Sequence, residues 1–386
     1  MIKTLTAFTE EIDDIDAAVT EVLSQLDLAQ NQLKNSVALV HCYADFVKEG
    51  AVAALSEALG FPLVGCTGLT FSSPEGKGQI ALTMSVLTSD DVEFVVGVSD
   101  PVHDFASMDA AIAKLYDNLI KPLPQTPGLF VPFIPFLTNV GGDEFIGRLD
   151  GLGEDIPSFG AVSFSDNPDF EDIYTFLNDE YFSSSLVLLA LVGDVSPQFF
   201  RVSVPEEDIV KQKALVTASD HNVLQKVNNN PTVTFFKSLG FFGDDDFRAL
   251  SSLSMVFDQE DGARHYRACI MATDDGSLVL CGNAPIGSNL SFAVMSLESV
   301  VEGAHYIAKK AQEQAQGRGV LAYVCAARSW ALGLNDMAEH EAFKEVLGTQ
   351  IPYQVVYVGG EIYPTRLNDN SVVSLLQNDS LIVCIL

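Results

Sequence analysis

Basic residues are scarce in this sequence. Its 386 residues include 21 Lys and Arg against 52 Asp and Glu, so the formal net charge is −31 at pH 7. A surface this acidic repels the phosphates of nucleic acids and the head groups of anionic lipids. We therefore expect neither a general DNA- or RNA-binding protein nor a protein of membrane surfaces.

Cysteine pairs and long apolar runs are also missing. The six cysteines form no Cys-x-x-Cys pair, and four of them lie in apolar segments, as is typical of buried thiols in a reducing compartment. The longest apolar stretches, such as residues 186–192, fall far short of the ~20 residues that a membrane span needs. Residues 1–16 lack the apolar run of a signal peptide. We predict a cytoplasmic protein.

The usual sequence patterns of metal and nucleotide sites do not occur. There is no His-Glu-x-x-His, no His-x-His, no Walker A motif and no Gly-x-Gly-x-x-Gly fingerprint. The patterns therefore predict no metal and no cofactor. Haem stays open as an alternative, because a single axial histidine leaves no spacing signature.

Apolar residues are plentiful. Hydrophobic residues make up 48% of the chain and charged residues 19%, which excludes wholesale disorder. Helical spacing predicts helices that include residues 13–28, 105–120 and 292–314. Short apolar runs predict strands that include residues 37–42, 129–137, 232–236 and 319–325.

One pattern occurs three times along the chain. Each copy has an apolar strand, a loop, a helix that ends in Leu-Gly, and a strand led by proline. The Leu-Gly pairs are Leu59-Gly60, Leu152-Gly153 and Leu347-Gly348, and the prolines are Pro62, Pro157 and Pro352. Glycine ends a helix because it tolerates positive φ, and proline can lead a strand because its missing N–H lies outside the ladder. We predict a two-lobed α/β protein with mixed sheets flanked by helices, built from duplicated strand–helix–strand units.

The residue pattern changes near residues 197–205, and we predict the main boundary between two lobes there. It divides the chain into lobes of residues 1–200 and 201–386.

The string Gly-Gly-Asp-Glu-Phe at Gly141–Phe145 matches the signature of diguanylate cyclases. In those enzymes the glycines form a hairpin, and an upstream aspartate on another strand helps to hold Mg²⁺ against GTP. Here a helix is predicted over residues 145–152, loop and helix over residues 101–120, and Arg148 is nearly the only cation nearby. We interpret the string as a coincidence and keep a cyclase as the unfavoured alternative.

Several polar residues lie at predicted strand ends, where α/β proteins bind ligands. Arg328 follows the strand that ends at Cys325, and it could either hold a carboxylate or form a structural salt bridge. Glu361 follows two glycines, one of them Gly360, and it could accept from an amine or lie in a solvated turn. Cys66 could act as a nucleophile only if its strand aligned with that of His41.

These segments resemble the FIST family of bacterial sensory proteins over most of the chain. The resemblance rests on Phe61–Thr67 and Ile156–Ala161 in the first half. In the second half it rests on the Cys-x-x-Arg element at Val324–Arg328, on Leu332-Gly333, and on the Gly-Glu-Ile element within Gly359–Pro364. The resemblance implies a ligand-sensing module in signal transduction, proposed for small ligands such as amino acids, and some members resemble haem-based sensors of nitric oxide.

Family members are often fused to kinase, cyclase or methyl-accepting output domains. This chain has no room for one, so we expect a signalling partner protein such as a histidine kinase or a cyclase.

We therefore predict a non-enzymatic sensory protein that binds an amino acid or a similar small polar metabolite between its lobes. Arg328 would hold a carboxylate and Glu361 an amine, with Cys325 and Gly360 beside them. Four residues would line the cleft from the other lobe, namely Asn139, Asp143, Cys66 and Thr67. The alternatives are a haem-based nitric oxide sensor, a diguanylate cyclase and an adaptor that binds no small ligand.

Overall fold

The computed structural model describes residues 1–153, 156–167, 169–241 and 253–386, with only the backbone of residues 212 and 213. Its helices are α1 (Ile15–Leu26), α2 (Leu28–Asn31), α3 (Ala44–Lys48), α4 (Ala51–Leu59), α5 (Phe105–Leu119), α6 (Gly142–Leu152), α7 (Thr232–Ser238), α8 (Leu297–Ala315), α9 (Arg328–Leu332) and α10 (Ala338–Leu347). Its strands up to residue 202 are β1 (Lys3–Thr9), β2 (Asn35–Cys42), β3 (Leu63–Thr67), β4 (Phe71–Ser72), β5 (Lys77–Gly78), β6 (Leu82–Ser89), β7 (Glu93–Val98), β8 (Leu129–Ile134), β9 (Gly160–Val162), β10 (Thr175–Leu177), β11 (Glu180–Phe182), β12 (Val187–Val192) and β13 (Gln198–Val202). The later strands are β14 (Val210–Asp220), β15 (Val223–Val227), β16 (Asn230–Pro231), β17 (Leu253–Asp258), β18 (Arg264–Arg267), β19 (Cys269–Ala272), β20 (Leu278–Leu280), β21 (Asn289–Val294), β22 (Val320–Cys325), β23 (Tyr353–Val358), β24 (Gly360–Arg366), β25 (Val372–Gln377) and β26 (Leu381–Ile385).

The long helices begin where side chains can bond their free N–H groups. Asp14 caps α1, and Asp104 and Ser296 form capping boxes with the serines three residues later, at the starts of α5 and α8. The three helices predicted from apolar spacing are thereby confirmed. None of the helices in the described ranges is both long and apolar enough to cross a bilayer.

Three six-stranded sheets repeat one topology. Their strand orders are β1-β6-β2-β3-β10-β11, β7-β12-β8-β9-β24-β25 and β13-β26-β22-β23-β4-β5. In each, a parallel pair (β2–β3, β8–β9 or β22–β23) is bordered by an antiparallel strand (β6, β12 or β26). The predicted duplicated units and the mixed α/β class are confirmed. The predicted division after residue 200, which falls inside β13, stays a prediction.

The units exchange hairpins in a ring. The hairpin β4–β5 follows β3 in the chain but pairs with β23 of the third unit. In the same way β10–β11 leaves the second unit to pair with β3, and β24–β25 leaves the third unit to pair with β9. Each sheet is therefore completed by a hairpin from another unit.

The inner faces of the three sheets share one core, and the helices cover the outer faces. Three rings meet inside it: the His41 centroid lies 5.4 Å from that of Phe133 and 5.3 Å from that of Tyr323. Their register partners on the second parallel strands are Cys66, Ala161 and Val356. His41, Phe133 and Tyr323 thus occupy equivalent positions around a pseudo-threefold axis.

A fourth, antiparallel sheet formed by β14–β21 lies between β13 and α8 in the chain and has its own core. The strand predicted at residues 232–236 is wrong, because these residues begin α7. Periodicity cannot separate a buried helix from a strand in so short an apolar run. Here the ring centroids of Phe236 and Phe292 lie 5.1 Å apart, and the Thr232 hydroxyl donates to the Leu224 carbonyl at 2.8 Å. Tertiary contacts therefore decide the conformation of this segment.

Candidate functional site

The carboxyl ends of the parallel strands converge on a partly open cavity of about 120 Å³. Residues just past five of these strands line it, namely Leu69 after β3, Phe136 after β8, Phe164 after β9, Ala326 after β22 and Gly359 after β23. Crevices at the carboxyl ends of strands are the usual ligand sites of α/β proteins. This cavity is therefore the candidate functional site.

The fourth sheet and α9 close the cavity from the other side. The fourth sheet contributes Ala268–Ile270 and Cys281, and α9 contributes Ser329 and Trp330. Trp330, the one tryptophan in the chain, is 55% exposed and borders both the cavity and the neighbouring surface. A dry cavity of about 150 Å³ holds a benzene-sized molecule, so this space suits a small and largely apolar one.

Three cysteines line the cavity: Cys269, Cys281 and Cys325. Burial raises the pKa of Cys269 to about 12 and that of Cys281 still further. Burial, followed by the nearby charge of Glu361, raises the pKa of Cys325 well above its usual range. These thiols are therefore protonated at neutral pH and are poor nucleophiles.

Two carboxyl groups lie directly behind the thiols. Glu361 is 0% exposed and Asp379 is 1% exposed. Among the described residues no donor meets hydrogen-bond geometry with either oxygen of Glu361 or with Oδ2 of Asp379. A buried polar group without partners is costly and calls for a physical explanation.

Burial sets the protonation of this carboxyl pair. It raises the pKa of Glu361 well above its usual range, and the charge of Asp379 raises it further while Arg328 lowers it. Burial also raises the pKa of Asp379 to about 6, against the effects of Ser254, Arg328 and Arg267. Both shifts favour the protonated form, and the larger of the two is that of Glu361.

Arg328 lies behind this cluster and is 2% exposed. Its Nη2 lies 2.8 Å from Oε1 of Glu339, whose other oxygen accepts from the Tyr357 hydroxyl at 2.5 Å. Nη1 donates to the Asp379 carbonyl and Nη2 also donates to the Val300 carbonyl, both at 3.3 Å. Of the two roles that the sequence left open for Arg328, the structural salt bridge is present.

The Gly-Gly-Asp-Glu-Phe string begins a helix. Gly141 is the N-cap of α6, and the two acids join the second unit to the fourth sheet. Oδ1 of Asp143 lies 2.7 Å from Nη2 of Arg267. Oδ2 of Asp143 accepts a hydrogen bond from the backbone N–H of Asn283, also at 2.7 Å. Glu144 Oε1 lies 2.8 Å from His221 Nδ1. The cyclase hairpin described above is not formed here.

The structure brings some predicted site residues together and separates others. Cys325, Gly360, Glu361 and Arg328 form one cluster. Of the eight predicted residues only Cys325 lines the cavity, and Gly360, Glu361 and Arg328 are buried outside its lining. Asn139, Asp143, Cys66 and Thr67 lie outside the lining as well. Contact between any of these eight residues and a ligand stays a prediction.

Two of the separated residues lie in the core and one on the surface. Cys66 and Thr67 are buried in β3, and Cys66 is the register partner of His41, so the two strands do align. Burial raises the pKa of Cys66 and lowers that of His41 to about 3, so they form no charged pair at neutral pH. Asn139 is exposed and donates to the His103 carbonyl at 2.9 Å.

Sequence reasoning missed Asp379, Cys281 and Trp330. Asp379 lies in the Asn-Asp-Ser turn before β26, with φ 55°, and such a segment indicates only a turn. Cys281 comes from the fourth sheet, which sequence reasoning did not place near Cys325. A single tryptophan carries no positional signal, so only the tertiary structure could identify it.

Three of the six histidines, His41, His265 and His340, are buried. His41 is wholly buried between the rings of Phe133 and Tyr323. The ring nitrogens of His340 pair with Thr70 and Ser72, and those of His265 with Gln259 and Arg267. The residues lining the described cavity include no histidine. In the described part of the chain no three His, Cys, Asp or Glu side chains form a metal-binding group either.

The fold defines an α/β protein of duplicated units with a cavity at their junction. The chain belongs to the FIST family: the FIST N domain matches residues 36–230 and the FIST C domain matches residues 230–364. FIST domains are sensory domains of signal transduction, so this chain is a sensory protein.

Other comparisons add little. No curated protein matches the sequence. A cyanuric acid hydrolase is 9% identical, with a TM-score of 0.34 over 100% of this chain and 98% of the other. The cyanuric acid hydrolase from A. caulinodans is 10% identical, with a TM-score of 0.35 over 100% and 99%. PurLQS from Thermotoga maritima is 12% identical, with a TM-score of 0.21 over 100% and 72%. Likenesses at this level establish neither a shared fold nor a shared activity.

Proposed function

We propose that the cavity binds a small, largely apolar molecule that carries a protonated amine, and that the protein reports its occupancy to a signalling partner. The observation that carries this proposal is Glu361, a wholly buried carboxyl group with no donor in full hydrogen-bond geometry among the described residues. Its nearest donors are the thiol of the cavity-lining Cys325 and the backbone amide of Ser380, which lower its pKa only slightly against burial. The amine would supply the missing donors.

The repeat supports a special role for Glu361. The same position of the exchanged hairpin holds Phe71 and Thr175 in the other two units, as their register partners show. Packing of the repeated fold therefore does not require an acid there. A buried acid that the fold does not need points to a role in binding.

The charge balance favours an amine over a carboxylate. Asp379 adds a second acid, and the guanidinium of Arg328 is already occupied by Glu339. A ligand carboxylate would meet repulsion, whereas an ammonium group would gain a charge-assisted hydrogen bond. An amino acid, the ligand suggested by the sequence, shares the amine and would need its carboxylate directed away from this pair.

In this proposal α9 would connect the cavity to the partner. Ser329 and Trp330 line the cavity, and the same short helix leads to the surface segment before α10. A ligand that binds one arrangement of α9 more tightly shifts the population toward that arrangement. The proposed role is binding without turnover, with a histidine kinase or a cyclase as the kind of partner expected.

A thermal-shift panel tests the proposal. Small aliphatic amines, their matched alcohols and carboxylic acids, amino acids, haem, and GTP with Mg²⁺ are compared on the wild type and on Glu361→Gln. A ligand at 100 times its Kd adds about 2.7 kcal/mol. We expect shifts from amines that Glu361→Gln abolishes and that Glu57→Gln, on the exposed face of α4, retains. Shifts that persist in Glu361→Gln, or no shift from any amine, would contradict the proposal.

A further inference from the structure

A second concave surface lies on the outer face of the third unit, apart from the cavity. It is a groove of about 500 Å³ between the first turns of α8 and the segment that leads into α10. We call it the acidic groove, and its walls are Leu297, Glu298, Val301 and Glu302 on one side and residues 334–338 with Glu341 on the other.

The acidic groove includes apolar side chains that are open to solvent. Leu334 has 102% relative exposure and Leu297 has 41%, and Val301, Met337 and Ala338 lie beside them. A cluster of exposed apolar side chains with a polar rim is typical of a protein–protein contact site.

The rim carries charge of one sign. The acids at the groove are Glu298, Glu302, Asp336 and Glu341, and no Lys or Arg is among its lining residues. Glu298 and Glu302 lie one turn apart on α8, where like charges destabilise a helix by a few tenths of a kcal/mol. Neither forms an ion pair with a described residue, although Glu341 pairs with Lys77 and Asp336 accepts from Gln79.

We propose that the acidic groove binds a basic amphipathic helix of a partner protein. The apolar side chains of such a helix would cover Leu297 and Leu334, and its Lys and Arg would neutralise Glu298 and Glu302. A second copy of this chain is disfavoured because its net charge is −31, and an anionic membrane is disfavoured for the same reason. The proposal does not depend on the identity of the cavity ligand.

The probe is an 18-residue peptide of Leu and Lys with Leu at helical spacing, labelled for fluorescence anisotropy and titrated with the full chain. Two control peptides accompany it: one has the same composition in scrambled order, and the other carries Glu in place of Lys. Three paired substitutions are compared with the wild type: Glu298→Lys with Glu302→Lys, Leu297→Ala with Leu334→Ala, and Glu49→Lys with Glu57→Lys. The last pair makes the same charge change on the first unit.

We expect the amphipathic basic peptide to bind the wild type and the first-unit control alike. Both groove variants should bind it about tenfold more weakly or worse, and affinity should fall as salt rises. Unchanged affinity in the groove variants, equal loss in the first-unit control, equal binding of the scrambled peptide or absence of binding would each overturn the proposal. Far-UV circular dichroism confirms that every variant is folded.

Discussion

Buried carboxyl groups define the site at the scale of single residues. Glu361 and Asp379 lie within the protein without full hydrogen bonding, and burial is the first cause of both raised pKa values. A carboxyl group whose pKa is raised by burial lowers the free energy of unfolding at any pH where the same group would ionise in the unfolded chain. The site therefore lowers the stability of the fold, as is common for binding sites.

Asp379→Asn isolates this cost. The pKa of Asp379 is about 6 when folded and ~3.9 when unfolded, so the folded state holds more protons between these values. The wild type should lose stability as pH rises from ~4 to ~6, and by pH 7 the variant should be more stable by about 3 kcal/mol. Asparagine also suits the left-handed backbone there. Urea unfolding at pH 4 and pH 7 measures both; a variant that is less stable at pH 7 would contradict this account.

Arg328 and Glu339 form a buried ion pair whose partners depend on each other. Arg328→Met should destabilise the protein by about 3–5 kcal/mol, because it leaves a buried carboxylate without its cation. Glu339→Leu should do the same to Arg328, and the double variant should recover part of the loss. A double-mutant cycle by urea unfolding measures the coupling, and strict additivity would show that the pair is not coupled.

At the scale of elements, two glycines lie where the main chain of the neighbouring parallel strand leaves no room for a side chain. A Cβ on Gly65 would lie 1.7 Å from the Val40 carbonyl oxygen, and one on Gly160 would lie 2.1 Å from that of Pro132. Both glycines lie on the second strand of a parallel pair, so the repeat explains why they share this constraint.

Gly65→Ala and Gly160→Ala should each cost about 1–3 kcal/mol, because the main chain on the facing strand must shift. Gly147→Ala is the matched control: its added methyl meets nothing within 4 Å on α6, and it should stabilise the helix by about 0.5–1 kcal/mol. Melting temperatures check the direction of each change. Stabilisation by either strand substitution would show that the predicted clash does not exist.

The spacing of apolar residues predicted the elements well where the periodic segment was long. The helix predicted over residues 292–314 forms as Leu297–Ala315, with its capping box. The strand predicted at residues 232–236 was wrong because a run of five residues, Thr-Val-Thr-Phe-Phe, is too short to show a distinguishing period. The pairing of β24 with β9 was beyond prediction, since nothing local to Glu361 shows that Ala161 lies opposite it.

At the scale of the whole molecule, the exchanged hairpins close the three units into one body. Each unit completes the sheet of another, so none has a complete sheet of its own. Leu-Gly and proline spacing revealed the three copies in the sequence. It could not reveal the exchange, because hairpin partners as far apart in sequence as Phe71 and Val356 leave no local signal.

A fragment of residues 1–197 tests this closure. It contains the first two units but lacks β24, which pairs with β9, and β23, which pairs with β4. We expect no cooperative urea transition from the fragment, whereas the full chain should show coincident transitions by circular dichroism and fluorescence. Cooperative unfolding of the fragment would instead support an autonomous first lobe, as the predicted division after residue 200 implies.

The fluorescence of Trp330 tests the central claim most directly. The chain has no other tryptophan, and this one borders the cavity. Titration with a small aliphatic amine should change its emission with a saturable dependence in the wild type. The matched alcohol should cause little change, and Glu361→Gln should remove the response to the amine. An identical response from the alcohol, or from Glu361→Gln, would contradict recognition of an amine by Glu361.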